Sequence, residues 1–404
     1  VKNDKEKIKH LLEEGGVEEV IGRKELEKKL SSGKKLIVKF GADPTRPDLH
    51  LGHAVPLRKM RELQDLGHKV IFLIGDATTK IGDPTGKDKT RPVMSDAEIK
   101  KNAETYIKQA SKILKTDKKL LEIRRNSEWF GKMKFFDFLR LMTMTTTARV
   151  LERDMFQKRM KSGKDIGFHE LIYPIMQGYD SVELKADVVL LGNDQKFNEL
   201  FGRHYQEKFS QDPQAMIITK LLVGTDGKEK MSKSLDNYIG LTESAGQMYG
   251  KVMSIPDDVL EEYYYLASNF SPEVIKKRMR RVKEDDLPAM AAKMDLAHNI
   301  TQMYHGKEKA WEAQENFVKI YQKRETPRNV KTAAVKGKTI KLTEFLVKAG
   351  MATSMSDARR KIEQGGVSID GLKITNYRVE LMKRNDNGKV VKAGKIHFGK
   401  IKFE

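Results

Sequence analysis

Two rhythms of apolar residues alternate through the first 235 positions. The stretch Lys35 to Phe40 is short and largely apolar, as a buried strand is. From Leu51 to Leu66, residues Leu51, Val55, Leu57, Met60, Leu63 and Leu66 recur at helical spacing. Val70 to Ile74 is again continuously apolar. Strand, helix and strand in that order predict a βαβ unit and the start of a parallel sheet. Ala186 to Leu191 and Ala215 to Leu222 predict two further strands. Helices are predicted from Ser95 or Asp96 through Leu114, over 134–162 and from His169 to Tyr179. Ahead of the sheet, Asp4 to Glu14 and Lys24 to Leu30 predict two short helices that cover its edge.

Beyond Thr242 the pattern is helix after helix to about Lys323, with Pro256 and Pro272 near helix starts. Residues 326–339 hold Pro327, Gly337 and many lysines without periodicity, and predict a linker. Residues 340–404 predict a small α+β unit. A helix over Leu342 to Ala349 precedes a second one, Asp357 to Gln364, capped by Ser356. Asp370-Gly371 between Val367–Ile369 and Lys373–Ile374 signals a hairpin, and two strands near 389–392 and 395–403 close the chain. The expected domains are therefore 1–235 (α/β), 236–325 (all-α), the linker 326–339, and 340–404.

Charge changes the picture. The 404 residues carry a formal net charge of +20, and residues 331–404 hold 17 Lys and Arg against 7 Asp and Glu. Half of the excess thus sits in the last module, which points to a polyanionic partner. No cysteine is present, so disulfides and thiolate chemistry are excluded. No apolar run approaches 18 residues and no secretory pattern opens the chain, so a membrane role is not expected and a cytoplasmic one is.

The chemistry gathers in loops after strands. His50-Leu51-Gly52-His53 sits where a strand turns into a helix. A helix N-terminus offers free N–H groups and a positive dipole end, imidazoles there can donate to phosphate, and Gly52 leaves room for a flat ring. About 180 residues later comes Lys230-Met231-Ser232-Lys233-Ser234, in a Gly- and Lys-rich loop. A polar loop, Gly75 to Arg91, follows Val70–Ile74, at the strand end where open α/β sheets bind ligands. Tyr173, Gln177 and Asp180 fall on one helix face at i, i+4 and i+7, and Gly192-Asn193-Asp194-Gln195 ends another strand. Taken alone, the histidines are a surface turn and the polar helix face is solvent-facing. Their combination is what argues for a site.

HLGH followed by KMSKS resembles the paired signature of class I aminoacyl-tRNA synthetases. YxxxQxxD followed by GxDQ, the IGDPTGK loop and the C-terminal run SDARRKIEQGGVSIDG are similar to bacterial-type tyrosyl-tRNA synthetases with an S4 RNA-binding module. The resemblance covers essentially the whole chain. It implies a Rossmann-like catalytic domain, a helical domain for the anticodon region of tRNA, and an S4 domain whose basic helix, with Arg359, Arg360 and Lys361, tracks RNA phosphates. It implies tyrosine, ATP with Mg2+, and tRNA(Tyr) as partners, a homodimer, and no resident metal. Asp180 matches the acceptor of the substrate phenol. Tyr173, Gln177 and Asp83 match the groups around its ammonium, and Gln195 one near its carboxylate. Asp43, Thr45, Gly52, Gly192, Asp194 and Met231 match the nucleotide site. His50 and His53 match the pair at the α-phosphate, and Lys87, Arg91, Lys230 and Lys233 the cations over pyrophosphate. One departure stands out: Lys39 occupies a position where many members carry a tyrosine that also touches the phenol, and it either donates to the phenol itself or points elsewhere. Phe135, Phe136, Phe138 and Leu139 belong either to a dimer surface or to the core.

Other readings have less support. Tryptophanyl-tRNA synthetases share the catalytic fold but usually lack the S4 module and YxxxQxxD. A chain that only binds RNA would have lost one signature. A ribosome-associated S4 protein explains only 340–404.

Overall fold

Strands that are apolar on both faces belong in the interior of a sheet, and that is where they lie in the computed structural model, which describes residues 5–84, 94–322, 330, 332–394 and 397–404. Six strands form the first sheet: β1 (Val17–Ile21), β2 (Ile37–Ala42), β3 (Lys69–Ile74), β4 (Leu121–Arg125), β5 (Val188–Gly192) and β6 (Ala215–Thr219), in the order β1-β6-β5-β2-β3-β4. β2 to β6 run parallel, with Phe40 opposite Phe72 and Val38 opposite Val188, while β1 is antiparallel to β6. The four central strands carry the buried core: Val38, Val70, Phe72, Ile74, Val188, Val189, Ile217 and Ile218.

The order reverses between β2 and β5. Chain leaving β2 crosses to β3 on one side, and chain entering β5 arrives on the other. Such a switch point opens a crevice at the carboxyl ends of the strands.

Several expectations shift. The edge of the sheet is covered not by helices alone but by a strand, β1, between helices Lys5–Glu13 and Arg23–Ser31. Its sequence, Val-Glu-Glu-Val-Ile, lacks the alternation that marks a half-buried strand. β4, Leu-Glu-Ile-Arg-Arg, is partly exposed along its whole length and carries no clear signal either. The helical stretch 134–162 is three helices, Phe135–Thr143, Thr147–Leu151 and Asp154–Lys161, and the Thr146 side chain caps the second by accepting from Arg149 N–H. Thr/Met-rich residues 142–147 break the run because β-branched threonines favour caps over helix interiors.

The chain divides into two compact units, Val1–Ser244 with Lys251–Tyr304, and Ala245–Gly250 with His305–Glu404. Within the stretch expected to be helical, residues 245–250 and 305–322 cluster with the second unit and 251–304 with the first. In the second unit a five-stranded sheet, β10-β9-β12-β13-β7, is built from β7 (Thr332–Val335), β9 (Val367–Ile369), β10 (Leu372–Ile374), β12 (Val390–Ala393) and β13 (His397–Phe403). A separate pair joins β8 (Thr339–Lys341) to β11 (Glu380–Met382). β7 lies inside the stretch expected to be a linker; parallel pairing with β13 and burial of Val335 recruit it. The hairpin at Asp370-Gly371 forms, both residues having positive φ (46° and 86°) as a two-residue turn of this type requires. The basic helix is Met355–Glu363, capped by Ser354 instead of Ser356. It packs through Ala358 and Ile362 on a core with Leu342, Phe345, Val391 and Ile401.

Candidate active site

The crevice at the switch point is a cleft of about 370 Å³. Each wall comes from the end of a strand. β2 delivers Asp43 and Thr45, β3 delivers Thr78 and Asp83, β5 delivers Gly192, Asp194 and Gln195, and β6 leads to Lys230, Met231 and Lys233. Helix Leu51–Asp65 brings His50, Gly52 and His53, and helix Phe168–Leu184 brings Tyr173, Gln177 and Asp180. Lys87 and Arg91 lie outside the described residues. Arg359, Arg360 and Lys361 belong to the second unit.

HLGH and KMSKS meet because of a backbone bridge. Leu51 N–H donates to Ile239 C=O (3.0 Å) and Leu241 N–H to Leu49 C=O (2.9 Å), so the segment after KMSKS is stitched to the helix mouth. His50 is the N-cap, and its ring lies 3.9 Å from that of His53. His53 Nδ1 accepts from the His50 backbone N–H at 3.3 Å, so its own proton sits on Nε2. Burial and the charges of Lys233 and Lys230 push His53 down to about 3, and burial with His53 and those lysines keeps His50 well below its ordinary value. Both rings are therefore neutral hydrogen-bonding groups at pH 7. His50 Nδ1 is buried with no partner among the described residues. A Cβ at Gly52 would come within 3.0 Å of that nitrogen.

The cations opposite are held by their neighbours. Lys230 Nζ pairs with Asp194 at 3.0 Å. Lys233 Nζ donates to the Tyr106 hydroxyl at 3.3 Å and lies over its ring, and burial lowers it to about 8.

The other end of the cleft is a network around carboxylates. Asp43 accepts from Thr78 Oγ1 (2.8 Å) and from the Tyr173 hydroxyl (2.9 Å). Asp83 accepts from Gln195 Nε2 at 2.9 Å, with Arg153 at 3.9 Å. Gln177 Nε2 donates to Glu199 at 2.8 Å, leaving its Oε1 buried and without a donor among the described residues. Asp180, 3% exposed, forms the floor and accepts from Trp129 Nε1 (3.0 Å) and, more weakly, Asn126 Nδ2 (3.4 Å). Burial raises its pKa well above the carboxylate range, against the pull of Lys39 and of those two donors. Lys39 is fully buried, and its ammonium donates to Ser181 Oγ (2.7 Å) and Glu199 (2.8 Å).

Sequence reasoning missed Asn126, Trp129, Thr78, Glu199 and Tyr106. Asn126 and Trp129 follow β4, so recognising that strand would have put them at its ligand-binding end. Thr78 lies in the Gly75 to Arg91 loop that the sequence did mark, without being singled out in it, while Glu199 and Tyr106 carry no local signal. Among the described residues no group of three or more His, Asp or Glu could hold a metal ion.

The described contacts in the second unit leave the basic helix largely outward. Arg359 is about half exposed, pairs with Glu363 and stacks on Tyr377; Arg360 and Lys361 both pair with Asp357.

Comparison with known proteins gives the family. Residues 31–322 match the family model of class I tRNA synthetases (W and Y), and residues 322–399 match the SYY-like C-terminal domain of tyrosine–tRNA ligases. The chain is 46% identical to the tyrosine–tRNA ligase of Francisella tularensis, over 98% of each chain. It is 45% identical to that of Moorella thermoacetica, over 96% of this chain and 94% of the relative. Among solved structures, a C-terminally truncated mitochondrial tyrosyl-tRNA synthetase from Aspergillus nidulans superposes with a TM-score of 0.65 at 25% identity, covering 77% of this chain and 93% of that one. The Archaeoglobus fulgidus tyrosyl-tRNA synthetase shares the fold at a TM-score of 0.61 and 21% identity, over 76% of this chain and 99% of that one. With family models spanning the chain from 31 to 399 and full-length relatives at this identity, the chain belongs to the class I tRNA synthetases and, within them, to the tyrosine–tRNA ligases.

Proposed function

We propose that this ligase holds tyrosine with its phenol on Asp180 and its ammonium among Gln177 Oε1, the Tyr173 hydroxyl and Asp83, with the carboxylate turned toward Gln195. ATP lies across Gly52 and Gly192, its ribose on Asp194, with Asp43, Thr45 and Met231 beside it, and its phosphates beneath His50, His53, Lys230 and Lys233. Lys87 and Arg91 are counted with these cations on the family resemblance alone. The tyrosine carboxylate attacks the α-phosphate and pyrophosphate leaves. The tRNA 3′ hydroxyl then attacks the carbonyl carbon of the adenylate, and AMP leaves. The chain supplies no nucleophile. Its contribution is positioning, and donors aimed at charge that grows in the transition state.

The observation that carries this reading is that two residues lining one cleft each hold a buried polar atom without a partner among the described residues, Gln177 Oε1 and His50 Nδ1. Buried polar atoms cost stability unless something satisfies them, and an ammonium at one and a phosphate at the other do so. Mg2+ would arrive with ATP and be held chiefly by phosphate oxygens and water. The helix with Arg359, Arg360 and Lys361 supports contact with tRNA(Tyr) phosphates, and β7 is counted with this S4 module. Phe135 and Phe136, 70% and 79% exposed, support a homodimer. tRNA charging fits a cytoplasmic enzyme, and no helix among the described residues is long and apolar enough to cross a membrane. Tyrosine binding measured by calorimetry tests the assignment: Gln177→Ala should weaken it about tenfold or more, and unchanged affinity would overturn the ammonium site.

A further inference from the structure

A buried charge pair beneath the tyrosine end of the cleft plays no part in the chemistry above. Lys39 is 1% exposed and Glu199 is 3% exposed, with Nζ and Oε2 2.8 Å apart. Burying an ion pair is costly, and geometry repays the cost only when the remaining lone pairs and protons are satisfied. Here both carboxylate oxygens have donors and the ammonium has two acceptors, in an informative way. Glu199 Oε2 accepts from Lys39 Nζ and from Gln214 Nε2 at 3.0 Å, while Oε1 accepts from Gln177 Nε2 at 2.8 Å. Lys39 also donates to Ser181, the neighbour of Asp180 in the chain. One carboxylate therefore touches both the cation beside the phenol acceptor and the amide that faces the ammonium.

Each contact solves a distinct problem. A glutamine amide can flip, exchanging its oxygen for an NH2 of nearly the same shape. A flipped Gln177 would turn donors toward an ammonium that also only donates. An acceptor at the back of the amide holds the oxygen forward. Lys39, for its part, is a cation whose charge reaches Asp180. Without Glu199, Asp180 would be left as its partner, and a carboxylate occupied by a lysine is a poorer acceptor for a phenol. We infer that Glu199 is a specificity-determining positioning residue for tyrosine: it locks the Gln177 amide and holds Lys39 away from Asp180. The inference rests on the assignment of Gln177 and Asp180 above.

ATP–pyrophosphate exchange by the full-length enzyme, with tyrosine and with phenylalanine, tests it. Glu199→Gln should raise the tyrosine KM about tenfold or more and leave the ATP KM within about twofold, and the preference for tyrosine over phenylalanine should fall about tenfold. Lys39→Met added to Glu199→Gln should restore that preference to within about threefold, because the stray cation is gone. The tyrosine KM should stay high, because the amide remains unlocked. A purely structural Glu199 would lower turnover for all substrates alike and show no such recovery; that pattern, or a tyrosine KM within about twofold of wild type, overturns the inference. Should Glu199→Gln lose its cooperative thermal transition, the apolar pair Lys39→Met/Glu199→Leu decides: a raised tyrosine KM supports the role and a wild-type one refutes it. Gln177→Ala and Asp180→Asn run alongside. If they leave tyrosine KM and preference unchanged, the site assignment itself fails. If they alone show losses, only the role of Glu199 fails.

Discussion

Replacing Asp180 by asparagine preserves volume and removes a charge, and it should move specificity and stability in opposite directions. The carboxylate takes Trp129 Nε1 on one oxygen and Asn126 Nδ2 on the other, and the substrate phenol would be a third donor. An amide has one acceptor oxygen, and its NH2 would add donors where every neighbour already donates. The phenol loses a hydrogen bond to a charged acceptor, about 1.5–3 kcal/mol, and a buried donor is left unsatisfied, about 1–3 kcal/mol more. The sum, about 2.5–6 kcal/mol, is roughly 10²–10⁴-fold in kcat/KM for tyrosine. Phenylalanine brings no donor and should change little. Stability goes the other way. Burial raises the Asp180 pKa in the folded state, so folding favours the protonated form. The charge therefore costs stability as pH rises from the unfolded value, about 3.9, through the folded one. Asparagine has no such cost, so the variant's Tm relative to wild type should climb as pH rises above about 4. Pyrophosphate exchange with tyrosine and phenylalanine, and thermal unfolding across that range, provide the two readouts. A tyrosine preference within about threefold of wild type would refute the role of Asp180.

Three further outcomes are expected. Lys233→Ala should slow adenylate formation about 10²–10³-fold in rapid-quench measurements, with tyrosine affinity nearly unchanged, because the cation meets charge that appears as pyrophosphate separates. Since burial brings Lys233 down to about 8, its charged fraction falls as pH rises through that value; kcat/KM for ATP at saturating tyrosine should decline above it, and kcat, which reports the bound state, should not. Gly52→Ala would set a methyl 3.0 Å from His50 Nδ1, at the floor of the nucleotide site, and should raise the ATP KM without altering tyrosine affinity in calorimetry. Arg359→Glu with Arg360→Glu should weaken tRNA binding and flatten its salt dependence, by up to about two units of log–log slope, while pyrophosphate exchange is unaffected.

The interior of the fold was legible because its central strands are buried on both faces and read as unbroken apolar runs: Val70–Ile74, Val188–Leu191 and Ala215–Ile218. The edges were not. β1 and β4 are half-exposed and mix charged with apolar residues, and β7 pairs with β13, whose partner residues lie 68 positions away (Thr332 with Lys400). The site divided along the same line. Residues that belong to a local motif and line the cleft, such as His50, His53 and Asp180, could be named from spacing and resemblance. Those that act by holding others could not. Trp129 and Asn126 reach Asp180 across more than 50 residues, and Glu199 reaches Lys39 across 160. Long-range partners leave no trace in periodicity.

The cleft should activate tyrosine and nothing else in the amino-acid pool. ATP–pyrophosphate exchange by the full-length protein, assayed with each of the twenty amino acids in turn, tests it most directly. Exchange supported by tyrosine alone, followed by transfer of the tyrosyl group to tRNA(Tyr), is the predicted result. Exchange driven by tryptophan, or no exchange with any amino acid, would contradict the account.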